Sequence, residues 1–303
     1  MKTFKQDDDL LNLKICCTKY LTLAPVFEEL NLHGFSYANI KGEVLSLYAF
    51  EQYGQRSYGD IDILVSRKNL RKFEDILMKY GYTSPTKTRE EKILMLSASH
   101  QTAAWSKVIN CKCKSVVDVN FDLFWGEYGG HRIDIDQFLL DTIEMEIYGM
   151  RIKTLSPLKA MVQIILHHYK EMNSIYHIAE HDCIRYSMFR DVYFLWKNND
   201  GMISLDNLYA LSLEYEIIPY VFYILYFTNE IFNDYELSRY IAAFRTPEGI
   251  SLLDCYGLTE HERKLWKVDF QTRLETKNLY DLIKNDLTEL DLEKLERNRK
   301  IFG

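Results

Sequence analysis

Two aspartates stand two residues apart in Gly59-Asp60-Ile61-Asp62-Ile63-Leu64-Val65. On an extended strand, residues i and i+2 face the same way. Asp60 and Asp62 therefore share a face, with Cα atoms about 6.6 Å apart at roughly 3.3 Å per residue. Carboxylates that close repel each other unless something positive lies between them. Mg²⁺ suits the position, because it takes oxygen ligands from one or two carboxylates together with water and phosphate. The uniformly apolar Ile63-Leu64-Val65 buries the strand and holds the pair at its end. A site for two divalent cations needs a further ligand. Val116-Val117-Asp118-Val119 supplies one carboxylate on an otherwise apolar strand. Asp122 lies four residues on and on the same strand face, so it is the alternative third carboxylate; Asp118 is preferred.

An Asp-x-Asp pair by itself is also what a solvated strand carries, so its neighbours matter. Gly59 lets a ligand or a backbone approach closely. Lys41-Gly42 falls at a strand-to-helix turn, where free N–H groups bind phosphate and a lysine adds charge. Arg56 precedes the aspartates and can grip phosphate with two parallel hydrogen bonds. Glu43 beside a phosphate site is unfavourable unless its carboxylate turns away or binds metal.

The elements that position these residues follow from the pattern of apolar residues. Residues 8–31 read as helix, 37–42 as a short strand with a glycine turn, and 43–53 as helix. The strand 60–65 is followed by an amphipathic helix, 69–80, closed by Gly81. The polar stretch 84–92 reads as loop. Residues 93–98 and 102–109 read as two strands, and 115–124 as another. This alternation implies an α/β-type domain with a mixed sheet. From Ser156-Pro157, an N-cap followed by proline at the first helical position, the chain reads as helices: 157–171, 175–198, 204–215, 218–230, 235–243 and 273–299. The expected fold class is thus α+β: a first domain over 1–150 and a helical domain over 151–303.

Here the residues resemble a known family. Ile40-Lys41-Gly42, Leu47-Tyr48, Arg56 and Gly59-Asp60-Ile61-Asp62-Ile63-Leu64-Val65 are similar to the "LKG…Y…R…GDIDLLV" signature of an uncharacterised nucleotidyltransferase family. That family is a branch of the DNA polymerase beta-like nucleotidyltransferase superfamily. Val117-Asp118-Val119 resembles the family's later acidic strand. Thr154-Leu155-Ser156-Pro157 with Leu166-His167-His168, and Phe189-Arg190-Asp191-Val192, resemble two of its helices. The likeness runs over about residues 35–195. It implies a nucleotidyltransferase-fold domain whose cleft is completed by the helical domain. By position it makes Asp60, Asp62 and Asp118 the catalytic carboxylates and metal ligands. Lys41, Gly42, Arg56 and Gly59 become the nucleotide-binding set, with Mg²⁺ or Mn²⁺ as cofactor and an NTP as co-substrate. Two departures stand out. Lys41-Gly42-Glu43 replaces the Gly-Ser pair of many superfamily members, and Asn120 replaces a histidine common in the family.

The implied reaction moves a nucleoside monophosphate onto a hydroxyl-type acceptor and releases pyrophosphate. The chain carries 44 acidic and 37 basic residues, a net charge of -7. That balance argues against broad nucleic-acid binding and favours a small molecule or peptide acceptor. DNA is not expected as a partner. A toxin-like enzyme modifying tRNA or a protein is the first alternative, and a non-catalytic nucleotide- or metal-binding module the second. The 6 cysteines, Cys16, Cys17, Cys111, Cys113, Cys183 and Cys255, form no CxxC pair and read as reduced thiols of a cytoplasmic protein. Residues 1–11 have no apolar signal core. The apolar stretch 217–227 is too short to span a bilayer, so no membrane partner is expected.

Other polar groups have ordinary readings. His167 and His168 sit in an apolar helix as core histidines or as contacts to substrate. His177 and His181 share a helix face and could chelate a metal. Arg190 and Asp191 read as a buried ion pair tying helices together. The tyrosines over 209–226 read as packing with polar tips.

Overall fold

The computed structural model describes residues 2–302 except 57, 86–87, 112 and 181–183, with side chains from residue 10 onward. Two compact units form: Met1–Leu123 with Ile133–Ala160, and Phe124–Arg132 with Met161–Gly303. The first unit contains, in order, α1 (Lys2–Leu32), β1 (Tyr37–Ile40), α2 (Gly42–Phe50), β2 (Ile61–Val65), α3 (Leu70–Lys79), α4 (Arg89–Ala98), β3 (Trp105–Asn110), β4 (Cys113–Asn120), α5 (Ile135–Phe138), β5 (Ile143–Ile147) and β6 (Met150–Thr154).

The six strands make one mixed sheet in the order β3-β4-β2-β1-β6-β5. β2 runs parallel to β4 and antiparallel to β1. The β-branched residues Ile61, Ile63, Val65, Val117 and Val119 lie on one face and are buried with Leu23, Val26, Phe27 and Leu30 of α1 and Phe73 and Leu77 of α3. Strand alternation therefore puts Asp62 and Asp118 on the opposite face. This is the mixed α/β sheet with many helices that the alternation of elements implies.

By length and composition alone Leu10–Leu32 is apolar enough to cross a membrane, a property the sequence reading assigns to no segment. Its buried residues Tyr20, Leu23, Phe27 and Leu30 recur at helical spacing and form part of the core under the sheet. A third of the apolar stretch is buried, while Leu11, Leu21 and Leu32 are exposed.

One expectation is corrected here, and one element is added. Residues 93–98 belong to α4 and not to a strand. Thr88 accepts from the Glu91 N–H while the Glu91 carboxylate accepts from the Thr88 N–H, and this capping box starts a helix inside the expected loop. The region before residue 155 also holds the β5–β6 hairpin, which the sequence reading leaves unassigned. Its turn, Tyr148-Gly149, has φ of 51° and 79°, the paired positive values of a tight two-residue hairpin turn.

The second unit is almost wholly helical: α6 (Pro157–Asn173, which begins in the first unit), α7 (Ile175–Glu180), α8 (Tyr186–Lys197), α9 (Leu205–Glu214), α10 (Ile218–Phe232), α11 (Tyr235–Phe244), α12 (Pro247–Leu252), the hairpin β7 (Cys255–Tyr256) and β8 (Lys264–Leu265), then α13 (Phe270–Glu275), α14 (Tyr280–Ile283) and α15 (Glu289–Phe302). The expected helices 175–198 and 273–299 are each divided into shorter ones.

Candidate functional site

Strand register brings the acidic residues together. Asp62 on β2 is the direct partner of Asp118 on the parallel strand β4. Asp60 stands one residue before β2, and its carboxyl lies within hydrogen-bonding reach of that of Asp118. Asp62 is 7% exposed. It accepts from Lys41 Nζ at 2.8 Å and from Asn120 Nδ2 at 3.2 Å. Gln101 Nε2 donates to Asp118 Oδ2 at 3.4 Å.

The electrostatics follow from this crowding. Burial pushes the Asp60 carboxyl up, and the Asp62 charge adds to that, against the pull of Lys41. Burial likewise raises Asp118, then the charges of Asp60 and Asp62, up to about 7. Three carboxylates thus share one corner of the sheet with Lys41, a local excess of negative charge that protons or cations must offset.

The turn into α2 aims Lys41 at this corner. Lys41 has φ 58° and ψ −147°, and Gly42 has φ 45°. The Lys41 conformation lies near a region held almost only by glycine, at a cost of about 1–3 kcal/mol. Strain of this size persists where surrounding contacts enforce it, and here the Lys41–Asp62 ion pair does so. Gly42 follows at positive φ, where a side chain would add a second strained residue. The first turn of α2 has N–H groups without helical acceptors, the usual apparatus of an anion site.

Glu43 turns away from that apparatus. Its carboxylate is fully buried and accepts from the Gly54 N–H at 3.1 Å, the Tyr58 hydroxyl at 3.1 Å and the Tyr148 hydroxyl. The anion next to the turn is therefore held by three donors on the protein's own interior side.

Further polar residues, absent from the sequence reading, fix the backbone around the aspartates. The buried Lys19 ammonium donates to the carbonyls of Tyr58 and Gly59, both at 2.9 Å, the two residues that lead into Asp60. Asn12 donates to the carbonyls of Gly54 and Arg56. On β1, Asn39 Nδ2 donates to the Asp62 carbonyl at 2.8 Å, and Tyr20 donates to Asn39 Oδ1 at 2.8 Å. The one local signal was Lys19 itself, a charge beside the apolar stripe of α1.

Other expected residues fall as follows. Space beside Gly59 is open: a Cβ there would meet nothing within 4 Å. Arg56 is half-buried in the loop before β2. Asp122 is buried but lies beyond the end of β4, so Asp118 is the carboxylate in register with the pair. His167 and His168 flank Glu171 on α6. His181 lies outside the described residues, and with it the paired reading with His177. Arg190 and Asp191 pair at 4.0 Å within α8. Tyr223 packs edge-on against Tyr169 and Phe227. A cavity of about 420 Å³ among Leu70, Met78, Tyr82, Met95 and Trp105 is lined by none of Asp60, Asp62 and Asp118.

With this geometry in view, the family is plain. A family model described as an uncharacterised nucleotidyltransferase matches residues 18–233, well over half the chain. The chain belongs to that nucleotidyltransferase family. Among solved structures, an antigenic nucleotidyltransferase-like protein from Paracoccidioides brasiliensis aligns with a TM-score of 0.38 and 12% identity, over 69% of this chain and 92% of that one. A likeness that slight supports nothing further. No curated protein matches the chain.

Proposed function

We propose that the protein transfers a nucleoside monophosphate from an NTP to a hydroxyl-type acceptor on a small molecule or peptide, releasing pyrophosphate. The observation that carries this reading is the register of Asp62 with Asp118 and the approach of Asp60 to the same corner. The donor set fits divalent cations of the Mg²⁺ or Mn²⁺ kind. All three groups are hard carboxylate oxygens, and burial and mutual repulsion raise Asp60 and Asp118 in a way that a bound cation would reverse. Asp60, Asp62 and Asp118 would hold the metal, which in a two-cation site would neutralise the triphosphate and lower the pKa of the acceptor hydroxyl.

The chain's own residues do the positioning. Lys41 and the first turn of α2 are placed to receive phosphate, for which Lys41 would exchange its Asp62 contact. Arg56 adds a second cation, and Gly59 leaves room beside Asp60. Asn39 and Asn120 hold Asp62 from two sides, one through its carbonyl and one through its carboxylate. Lys19 holds the peptide ahead of Asp60. The acceptor oxygen forms a bond to the α-phosphorus as the bond to pyrophosphate breaks, a transfer that depends on placement and charge neutralisation. The net charge of -7 favours a small or peptide acceptor over RNA. A cytoplasmic setting supplies both NTP and Mg²⁺.

The test is release of pyrophosphate from each of the four NTPs with Mg²⁺ or Mn²⁺, with label followed into small-molecule, peptide, RNA and protein fractions of a cell extract. Label on small molecules or peptides is the expected outcome. Label on RNA or protein would replace this reading with a toxin-like one. Nucleotide binding without pyrophosphate from any mixture would reduce the protein to a binding module.

A further inference from the structure

The helix α6 carries a second constellation, chemically unlike the carboxylate corner. His167, His168 and Glu171 occupy positions i, i+1 and i+4. At about 100° per residue, Glu171 falls between the two histidines on the helix wheel, within one sector of about 100°. One donor atom from each side chain lies within 4.8 Å of the others. His167 Nε2 is 3.2 Å from Glu171 Oε1, and His168 Nδ1 is 3.8 Å from Glu171 Oε2.

These separations have a metric meaning. Two ligands each about 2.0–2.1 Å from a tetrahedral zinc ion stand roughly 3.3–3.4 Å apart. The His167 contact is close to that edge and the His168 contact somewhat longer, each to a different oxygen of Glu171, and all three side chains keep a donor atom within 4.8 Å of the others. The donors are also held in place. The side chains of His167, His168 and Glu171 are 16%, 5% and 18% exposed, and their helix neighbours Leu166, Tyr169 and Met172 are core residues.

We propose that His167, His168 and Glu171 bind a divalent transition ion of the zinc type. Imidazole nitrogen favours zinc and its neighbours over Mg²⁺, which separates this site from one built of three aspartates. Three protein ligands leave a fourth position open to water or an anionic ligand, the pattern of a zinc site that takes exogenous ligands. The Lys170 ammonium opposes a cation at this place, so the ion is held by its three donors and not by the local field.

The test uses the full chain and does not depend on turnover of an NTP. Zinc content after dialysis and the visible ligand-field spectrum of added Co²⁺ are compared in wild type, H167A, E171Q and, as control, D62N. One equivalent of zinc and a tetrahedral Co²⁺ band are expected in wild type and D62N, undisturbed by excess Mg²⁺. Both variants on α6 should lose more than the roughly 10–100-fold in affinity that removal of an outer-sphere partner costs. E171Q keeps the volume of the side chain and serves if H167A fails to fold. Absence of the band in wild type would overturn the site, leaving Glu171 as an acceptor for two imidazoles. So would a band that survives E171Q.

Discussion

The carboxylate corner has a cost that pH should expose. An ordinary aspartate ionises near 3.8, whereas Asp118 is pushed up to about 7 by burial and by Asp60 and Asp62. At about 1.36 kcal/mol per pH unit that difference corresponds to roughly 4 kcal/mol. Solvent screening of a half-buried carboxylate brings it to roughly 2–4 kcal/mol. The sign is fixed by proton counting. Between the two pKa values the native state holds a proton that the unfolded state has released, so stability falls as pH rises. The contribution is complete below about 4 and gone above about 7. In a chelator, wild-type protein should therefore lose stability across this window, and Asp118→Asn should remove most of the slope. The variant should match wild type at pH 4 and exceed it by roughly 2–4 kcal/mol at pH 8. Mg²⁺ reverses the order, because metal binds only the deprotonated carboxylates. A metal present at 100 times its Kd adds about 2.7 kcal/mol, and in wild type the gain should be larger at pH 8 than at pH 6. Urea midpoints followed by circular dichroism at several pH values, with chelator or Mg²⁺, measure all of this. Parallel wild-type and variant lines in chelator would refute the electrostatic account. A Mg²⁺ shift independent of pH would refute the assignment of Asp118 as a ligand.

Three further outcomes follow from the same contacts. Asp62→Asn should cut pyrophosphate release by at least roughly 100-fold, the scale for losing one charge-stabilising group, with the unfolding midpoint little changed, since its Oδ1 can still accept from Lys41 and Asn120; wild-type rates would sink the assignment. Lys41→Met should raise the KM for NTP by roughly 10–100-fold, as expected for losing a charged hydrogen bond to phosphate, and an unchanged KM would place the phosphates elsewhere. Lys19→Met should destabilise the protein by about 1 kcal/mol, because two carbonyls lose a charged donor, and a variant as resistant to urea as wild type would show that the clasp contributes nothing.

How much of this was legible in the sequence depends on how local each signal is. The strand around Asp62 was readable because period-two alternation and a run of β-branched residues need no partner to be recognised. The capping box Thr88-x-x-Glu91 was equally local, and a reading weighted toward apolar runs misses it and makes a strand of 93–98. The β5–β6 hairpin is a similar case: Ile143-Glu144-Met145-Glu146-Ile147 and Met150-Arg151-Ile152-Lys153-Thr154 alternate on either side of Tyr148-Gly149. The apolarity of α1 is ambiguous on composition, since a membrane span and a core helix have the same average. One face of the helix packs under the sheet, and a lysine buried on that helix with two carbonyls as acceptors is a feature of a folded interior.

The site itself divides along the same line. Which residues are acidic is written in the chain; which acid faces which is set by pairing. Register places Asp118 beside Asp62 while the carboxyl of Asp60 reaches across to it, and no spacing along the sequence contains that fact. Glu43 shows the point most sharply. Read alone, an anion next to a phosphate turn is a liability. In the fold it accepts from Tyr148, which is 105 residues away on the hairpin turn, as well as from Tyr58 and Gly54. Those donors compensate the buried charge and anchor the first turn of α2 from beneath. The strained backbone at Lys41 is then held at two points, by Asp62 through its side chain and by Glu43 two residues on. A phosphate that draws Lys41 from Asp62 releases only the first of these, so the turn keeps its shape while the lysine changes partner.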